Sequence, residues 1–217
     1  MPLKSPKTAP LDIETSLWQN GCLRVFGLDE AGRGAWAGPV VAAAVCIPHD
    51  HIQISDILRG VNDSKQLTAQ QREVLAQQIR ENVPYWAVGE ASSEEIDKMG
   101  IVPATKTAMR HAMDAICAVD NCIPDHLLLD ALRWDYQNTP YTPLIKGDSR
   151  SLSIAAASIL AKVHRDHLMI ALDAQYPDYG FAGHKGYGTV RHQQALNQLG
   201  ASPAHRRSFA PIRARLF

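Results

Sequence analysis

The chain has 217 residues, 46% of them hydrophobic, and its 22 basic side chains balance its 22 acidic ones. These values predict one folded domain with a substantial core. No apolar run is long enough to span a bilayer and no secretory signal pattern is present, so we expect a cytoplasmic location and no membrane partner. Cys22, Cys46, Cys117 and Cys122 lack the CxxC spacing of a zinc site and are expected to be reduced thiols.

The N-terminal segment is expected to contribute nothing to the core. Residues 1–10 are polar and contain proline, which favours disorder. We predict that this disordered segment extends through residue 15 and that a single catalytic domain spans residues 16–217.

The first apolar run ends on two adjacent carboxylates. Residues 23–28 are typical of a short strand buried on both faces, and Asp29 and Glu30 follow directly. Successive side chains of a strand point to opposite faces, so both carboxylates could share one ion only if the strand ends and twists. We therefore expect the strand to stop at Glu30.

A glycine-bracketed arginine comes next. Gly32 and Gly34 permit positive φ and a close approach of the backbone to a ligand. Arg33 between them is a fork-shaped donor for phosphate or hydroxyl groups. These residues indicate metal-assisted chemistry on a phosphate backbone, while an ordinary glycine turn with solvated charges is the alternative interpretation.

The following elements alternate between strands and helices. Residues 40–47 are apolar and pair naturally with the first strand as a hairpin. Thr68 with Gln71, and Ser92 with Glu95, resemble capping boxes that begin helices. We predict helices from Thr68 to about residue 81, from Ser92, from Pro103 to about residue 119 and from Ser153 to about residue 175, and strands at residues 85–90 and 126–130. The alanine and serine density of the last helix predicts very close packing against a sheet.

Two later apolar segments also end on carboxylates. Asp130 follows three leucines, where a buried charge is costly unless a cation or donor compensates it, and Asp148 follows the apolar pair at 144–145. Carboxylate oxygens suit Mg²⁺ or Mn²⁺, and two such ions roughly 3.5 to 4 Å apart can stabilise the attacking and leaving oxygens of phosphodiester hydrolysis. Asp148 is equally placed to cap the helix that follows.

Charge is unevenly distributed along the chain. Residues 179–217 contain no Asp or Glu, which predicts an electrostatic footprint for nucleic-acid phosphates, with a solvated basic surface as the alternative. The basic side chains of this tail are Lys185, Arg191, Arg206, Arg207, Arg213 and Arg215.

Several ordered motifs between residues 25 and 211 resemble the ribonuclease HII family. They are DEAGRG at 29–34, NDSKQL at 62–67, the Leu129-Asp130 strand end, KGDS at 146–149, the segment 153–166, HKGYGT at 184–189 and HRRSF at 205–209. The resemblance implies a ribonuclease H-like α/β fold with a mixed central sheet flanked by helices and a helical C-terminal part.

The resemblance also implies an activity. A family member would be an endonuclease that cuts the RNA strand of RNA/DNA hybrids and incises duplex DNA at embedded ribonucleotides, with Mn²⁺ or Mg²⁺ and no covalent intermediate, leaving 3′-hydroxyl and 5′-phosphate ends. It would be a monomer acting in ribonucleotide excision repair and DNA replication. Residues 212–217 are a candidate sliding-clamp contact, although packing of this tail against the domain is the preferred interpretation.

Roles carry over residue by residue from the same resemblance. The acidic metal and catalytic site would comprise Asp29, Glu30, Asp130 and Asp148. Gly32, Arg33 and Gly34 would sense the ribonucleotide 2′-hydroxyl, which distinguishes RNA from DNA at one position; Tyr187 would stack on the neighbouring deoxyribose; Lys65 and Lys185 would hold flanking phosphates. Lys146 is either a partner of the carboxylates or a solvated turn residue.

Two segments depart from the family pattern. Ala131-Leu132-Arg133 stands where glycine and asparagine are common after the third acid, which puts the local turn in question. Ala35-Trp36 stands where proline and leucine are common, and Trp36 would either stack on substrate or cover the loop.

Other functional interpretations are weaker. Asp12-Ile13-Glu14-Thr15 spells an acidic motif of proofreading-type exonucleases, but no strand pattern carries it, so we interpret it as a chance match. A binding module with a degenerate site is disfavoured by the four acids, and an ATPase by the lack of support for a nucleotide pocket. The histidines offer no convincing metal pair: His164 and His167 are expected on an exposed helix surface, and His184 and His192 give no clearer site.

Overall fold

Five strands form one mixed sheet in the computed structural model, which describes residues 7–120 and 122–215. The strands are β1 (Val25–Ala31), β2 (Val40–Cys46), β3 (Tyr85–Ala91), β4 (His126–Asp130) and β5 (Tyr141–Leu144), in the spatial order β3-β2-β1-β4-β5. β2 is antiparallel to both β1 and β3, whereas β4 is parallel to both β1 and β5. The carboxyl ends of β1 and β4 therefore lie at the same edge of the sheet.

Helices cover both faces of the sheet and form the C-terminal part. They are α1 (Asp12–Gln19), α2 (Ile54–Ile57), α3 (Ala69–Asn82), α4 (Ser93–Met99), α5 (Ile101–Asp120), α6 (Leu152–Gln175), α7 (Phe181–His184), α8 (Val190–Leu199) and α9 (Ala210–Arg213). One core layer packs α5 against the sheet, and the other packs α6 and α3 against the opposite face. The predicted α/β architecture with a helical C-terminal part is confirmed.

Two glycines let the helices approach the sheet closely. A Cβ at Gly27 of β1 would lie 2.3 Å from the Ser153 carbonyl carbon of α6, and one at Gly89 of β3 would lie 2.2 Å from the Ala108 oxygen of α5. Real Cβ atoms do not reach such separations, so any larger residue would push a helix away. The close packing predicted from the alanine and serine content of α6 is confirmed.

The local helix signals are confirmed as well. Thr68 and Gln71 form a reciprocal capping box at the start of α3, and Ser92 and Glu95 form another at α4. Pro103 lies in the first turn of α5.

The N-terminal prediction is wrong for residues 12–15, which belong to α1, and for Ala9, which is buried in the core. Glu14 is fully buried, and its Oε1 accepts hydrogen bonds from Ser151 Oγ at 2.6 Å, Ser153 Oγ at 2.7 Å and Ser153 N at 3.0 Å. This contact joins residues far apart in sequence, so local composition gave no sign of it. The part of the prediction that concerns residues 1–6 lies outside the described residues.

The end of β1 also differs from expectation. The strand continues past Glu30 to Ala31, which pairs with Val41 of β2. The antiparallel pairing with β2 keeps the backbone extended through Ala31, one residue beyond the predicted end of the strand.

At the C-terminus, Ile212 of α9 is buried, whereas Leu216 and Phe217 lie outside the described residues. No helix within residues 7–120 or 122–215 is both long and apolar enough to cross a membrane.

Candidate active site

The two carboxylates of β1 differ in their surroundings. Asp29 is 6% exposed, and its Oδ1 accepts a hydrogen bond from the Glu30 N–H at 2.7 Å. Glu30 pairs through Oε1 with Arg33 Nη1 at 3.2 Å. The alternation of the strand thus sends Asp29 towards α6, while Glu30 is held by the loop that follows.

Burial makes both carboxyl groups weaker acids than usual. It raises the pKa of Asp29 well above the ordinary value, and the charges of Glu30 and Asp130 raise it further. Burial also raises the pKa of Glu30, and the nearby guanidinium of Arg33 offsets part of this effect. Each carboxylate therefore lies in a place that favours a compensating positive charge.

Asp130 and Asp148 approach each other through a turn. Gly147 N–H donates to Asp130 Oδ1 at 2.8 Å, which anchors the short 3₁₀ helix Gly147–Ser149 at the end of β4. Asp148 in that helix is 5% exposed. Burial, together with the charges of Asp63 and Asp130, raises the pKa of Asp148 to about 6.

The alternative role of Asp148 as a helix cap is not borne out. Ser151 is the N-cap residue of α6, and its Oγ accepts a hydrogen bond from Ile154 N–H at 3.2 Å. The Asp148 carboxylate instead faces Lys65, whose Nζ lies 4.0 Å from its Oδ2. Lys146, before the turn, is exposed and has a left-handed backbone.

Lys65 is held next to the acids by its own short 3₁₀ helix, Ser64–Gln66. Asp63 caps this helix by accepting the Lys65 N–H at 2.9 Å. Burial lowers the pKa of Lys65, but the carboxylates around it, Asp148 first and then Asp29, raise it to above the ordinary value. The ammonium is therefore firmly charged where the acidic segments converge.

One cavity of about 220 Å³ joins most of the predicted site. Its lining includes the predicted residues Asp29, Glu30, Gly32, Arg33, Gly34, Lys65 and Tyr187, together with Ala31, Ser64, Ser158 and Lys162. Asp148 contacts this lining through Lys65, whereas Asp130 is close enough for its charge to raise the pKa values of Asp29 and Glu30. In the part of the chain that the structure describes, no group of three or more His, Cys, Asp or Glu side chains is arranged to hold a metal ion.

Lys185 is not brought to the cavity. Its ammonium donates to the Ala182 carbonyl, and its own carbonyl accepts from Arg165 Nη1 at 3.0 Å. Its predicted phosphate contact would require the side chain to leave the Ala182 carbonyl.

The two glycines around Arg33 have different roles. Gly32 has φ +93°, and a Cβ there would lie 1.9 Å from Arg165 Nε. Gly34 does not use the positive φ that glycine permits, and a Cβ there would meet nothing within 4 Å. Gly32 is thus required by the fold, whereas the space above Gly34 is free for a ligand.

Two buried arginines, which the sequence interpretation did not place in the site, hold this loop. Arg165 of α6 donates to the carbonyls of Pro39 at 3.0 Å and Ala37 at 3.2 Å, and its guanidinium lies 5.5 Å from the Tyr187 ring centroid. Burial lowers the pKa of Arg165.

Arg206, the second of these arginines, comes from the C-terminal part. It donates to the carbonyls of Gly38 and Arg33, both at 2.9 Å. Burial, with the Arg165 charge, lowers the pKa of Arg206 to about 9. Because Arg206 is fully buried, it does not belong to the exposed basic footprint predicted for the tail. The only sequence signal for either arginine was membership of a family motif.

Serine and lysine side chains on α6 complete the floor of the cavity. Ser158 Oγ lies 2.9 Å from Ser64 Oγ, and a hydrogen bond between Ser158 and Asp29 partly offsets the raised pKa of the acid. Lys162 donates to Asp166 Oδ1 at 2.6 Å. The small-residue pattern of α6 predicted close packing and did not indicate this polar floor.

Trp36 covers the turn that carries Tyr187. A Cβ at Gly188 would lie 2.1 Å from Trp36 Cζ2, and the Trp36 ring centroid is 5.6 Å from that of His192. Of the two roles considered for Trp36, the structure favours covering the loop. Ala131, at the other departure from the family pattern, has φ +50°, a conformation that glycine adopts more easily.

The fold and the cavity together define a class of protein. A mixed sheet of this order, with acidic side chains converging at the carboxyl ends of β1 and β4, is that of a ribonuclease H-like hydrolase.

Comparison with known proteins is specific about the family. A family model described as Ribonuclease HII matches residues 26–212. The Ribonuclease HII of Desulfitobacterium hafniense strain Y51 is 51% identical over 208 residues, which cover 96% of this chain and 76% of that protein. The chain therefore belongs to the ribonuclease HII family and is a ribonuclease H, an endonuclease that cleaves the RNA strand of RNA/DNA hybrids.

Solved structures agree with this assignment. The crystal structure of ribonuclease H2 from Pyrococcus horikoshii OT3 gives a TM-score of 0.70 at 26% identity and covers 88% of this chain and 96% of that one. A chain in the PCNA:RNase HII complex from Archaeoglobus fulgidus gives 0.67 at 26% identity, covering 84% and 91%.

Proposed function

We propose that this ribonuclease H also incises duplex DNA at single embedded ribonucleotides, by two-metal-ion hydrolysis that leaves 3′-hydroxyl and 5′-phosphate ends. The observation that carries the proposal is the shared cavity, in which Asp29 and Glu30 lie beside the Gly32-Arg33-Gly34 loop and Tyr187. The carboxylates proposed to direct backbone cleavage thus lie next to the residues proposed to contact one sugar.

The acidic residues fit a hard divalent cation. Glu30 Oε2 is buried and has no hydrogen-bond partner among the described residues, and burial raises the pKa of both Asp29 and Asp148. Arg33 and Lys65 compensate the charge of Glu30 and Asp148 only in part, and oxygen ligands of this kind suit Mg²⁺ or Mn²⁺. We assign Asp29, Glu30, Asp130 and Asp148 to the metal site. Ion binding would have to draw these carboxylates together, because no three such side chains among the described residues are already arranged to hold a metal ion. When bound, the ions supply activation of water and stabilisation of the leaving oxygen.

The chain's own residues position the substrate. Gly34, with open space above its Cα, lets the backbone approach the sugar, and Arg33 presents a guanidinium to the 2′-hydroxyl. A cation at Glu30 competes for the Oε1 that now accepts from Arg33. In the proposed complex Tyr187, which is 39% exposed, stacks on the neighbouring deoxyribose.

Lysines would fix the register of the duplex. The Lys65 side chain is 81% exposed and is free to contact a flanking phosphate, and Lys185 would contact a second phosphate. Base edges play no part in this arrangement, so the expected preference is for sugar chemistry over sequence.

A substrate panel tests the proposal. The wild-type protein is incubated with Mg²⁺ or Mn²⁺ and a DNA duplex containing one ribonucleotide, an RNA/DNA hybrid, or an all-DNA duplex of the same sequence. We expect cleavage of the ribonucleotide-containing duplex and of the hybrid, while the all-DNA duplex stays intact. End-group mass spectrometry should find 3′-hydroxyl and 5′-phosphate termini. Cleavage of the hybrid alone would exclude the embedded-ribonucleotide activity, and cleavage of all three would exclude sugar recognition.

We further propose that the monomeric enzyme works in the cytoplasm in ribonucleotide excision repair and replication, with a sliding clamp engaged through residues 212–217. The PCNA:RNase HII complex from Archaeoglobus fulgidus supports a clamp contact in a relative. Because Ile212 is buried, the contact would use the residues after it. Surface plasmon resonance against a bacterial clamp should show binding that Leu216→Ala with Phe217→Ala abolishes; equal binding by the variant would refute this role.

A further inference from the structure

Three histidine rings pack together beneath the turn that carries Tyr187. His184 and His192 stack with centroids 4.4 Å apart and ring planes at 9°, and His205 lies 5.2 Å from His192. Phe181 contacts all three rings. The cluster belongs to the helical C-terminal part and takes no part in the acidic site.

The backbone fixes the proton position on His205. The Ser202 N–H donates to His205 Nδ1 at 3.0 Å, so Nδ1 must be an acceptor without a proton. A neutral imidazole then carries its proton on Nε2. His205 Nε2 lies 3.0 Å from His192 Nε2 and is the donor of that hydrogen bond.

The tautomer of His192 is fixed by that of His205. Because His192 Nε2 accepts from His205, its proton lies on Nδ1, which is 3.0 Å from the Tyr187 carbonyl oxygen. That carbonyl also accepts the Thr189 N–H at 2.8 Å. A chain of hydrogen bonds therefore runs from Ser202 through His205 and His192 to the Tyr187 carbonyl, and each member donates to the next.

The chain operates only with neutral rings. A second proton on His192 would set two N–H donors face to face at the contact between the Nε2 atoms, and a second proton on His205 would set its Nδ1–H against the Ser202 N–H. Burial lowers the pKa of His192 and of His205 to about 4, and the charged neighbours whose fields reach the three rings are Arg191, Asp173 and Arg215.

The cluster is not arranged as a metal site. His184 Nε2 lies 2.7 Å from the Tyr179 carbonyl, and its Nδ1 accepts the Gly186 N–H at 3.2 Å. With the bonds of His192 and His205, every ring nitrogen of the three histidines already has a protein partner.

We propose that His205 and His192 are positioning residues that set the Tyr187 turn, and through it the fit of the enzyme to the sugar next to the ribonucleotide. This inference rests on the proposed function, in which Tyr187 contacts substrate. His192 fixes the carbonyl side of the turn, Arg165 lies against the Tyr187 ring, and His205 fixes the tautomer of His192.

Nuclear magnetic resonance tests the hydrogen-bond direction without reference to activity. Long-range ¹H–¹⁵N spectra of the labelled full chain at pH 7.5 distinguish the two tautomers of each ring. His205 should carry its proton on Nε2 and His192 on Nδ1. A His192 proton on Nε2, or a doubly protonated ring at either position, would overturn the proposal.

Kinetics test the link to Tyr187. His192→Phe keeps an aromatic ring and removes both nitrogens, and with them the hydrogen bonds to the Tyr187 carbonyl and to His205. KM for the duplex with one ribonucleotide should rise about threefold to tenfold, the effect of losing the hydrogen bond to Tyr187, with little change in kcat. His192→Asn retains an N–H donor near the Nδ1 position and should restore most of KM. A purely structural role would instead lower the active fraction, and hence kcat, in both variants.

A double-mutant cycle completes the test. In a Tyr187→Ala background, His192→Phe should leave KM unchanged, because the ring that it positions is absent. An equal rise in KM in both backgrounds, or an unchanged KM for His192→Phe in the wild-type background, would refute the positioning role. Failure of the wild-type enzyme to cut the ribonucleotide-containing duplex would refute the proposed function instead, and the two failures are therefore distinguishable.

Discussion

Arg165 Nε lies where a side chain on Gly32 would begin, since a Cβ at residue 32 would be 1.9 Å away from it. The same guanidinium donates to the carbonyls of Ala37, Pro39 and Lys185. A helix of the core thus fixes the shape of the loop that carries Arg33.

Gly32 and Gly34 should therefore respond differently to alanine. Gly32→Ala adds a Cβ at positive φ against Arg165 and should lower the free energy of unfolding by about 2–4 kcal/mol. Gly34→Ala meets open space and should change it by less than about 0.5 kcal/mol, while it weakens cleavage by obstructing the sugar. Urea unfolding and cleavage rates check the pair; equal stability losses would contradict the account.

Ala131 offers a stabilising substitution. Its φ of +50° is strained for a residue with a Cβ, so Ala131→Gly should raise the free energy of unfolding by about 0.5–1 kcal/mol after the entropy cost of glycine. Ala201→Gly, at a loop residue whose own φ is not positive, serves as the control and should lower it. Thermal unfolding measures both, and a lower melting temperature for Ala131→Gly would refute the strain.

Glu14 should be important for stability despite its place near the N-terminus. Glu14→Ala leaves the Ser151 and Ser153 donors at the start of α6 without their acceptor and should cost about 2–4 kcal/mol. Exposed Asp12 in the same helix is the matched control, and Asp12→Ala should cost less than about 1 kcal/mol. Equal losses in denaturant unfolding would show that α1 does not anchor α6.

Asp148 links stability to pH. Its folded-state pKa of about 6 lies above the ordinary 3.8, so its contribution to stability is fully present below the ordinary pKa and is lost as pH rises through about 6. Asp148→Asn should therefore raise the melting temperature of the metal-free protein at pH 7.5, with a smaller gain at pH 5, and abolish activity at both. Differential scanning fluorimetry in chelator checks this; a variant less stable than wild type at pH 7.5 would contradict it.

Local signals predicted much of the fold. The capping boxes at Thr68 and Ser92 concern residues within one turn, so the sequence alone identified the starts of α3 and α4. β4 likewise follows from its own apolar run. By contrast, the sequence left Asp148 as either a cap or a metal ligand, and only the observed cap, Ser151, and the position of the turn against Asp130 exclude the first role.

Tertiary partnerships explain what the sequence did not reveal. Arg206 is a residue type that often contacts phosphate. It is nevertheless buried, because the backbone carbonyls of Gly38 and Arg33 accept its hydrogen bonds in place of water. Glu14 and the histidine chain depend on contacts between distant segments in the same way. The residue type of the four acids was enough to indicate metal chemistry. The partners of Glu14, Arg206 and the histidines, by contrast, are set by the complete fold.

The central claim is that the carboxylates around Asp29 cut at a single ribonucleotide. The most direct measurement is the single-turnover cleavage rate of a DNA duplex containing one ribonucleotide, in Mn²⁺, for wild type, Asp29→Asn and Glu94→Gln, in which Glu94 is an exposed acid of α4. We predict that Asp29→Asn folds normally and loses at least about 100-fold in rate, on the scale of losing a transition-state stabilising group, while Glu94→Gln matches wild type. A folded Asp29→Asn variant with the wild-type rate would contradict the account.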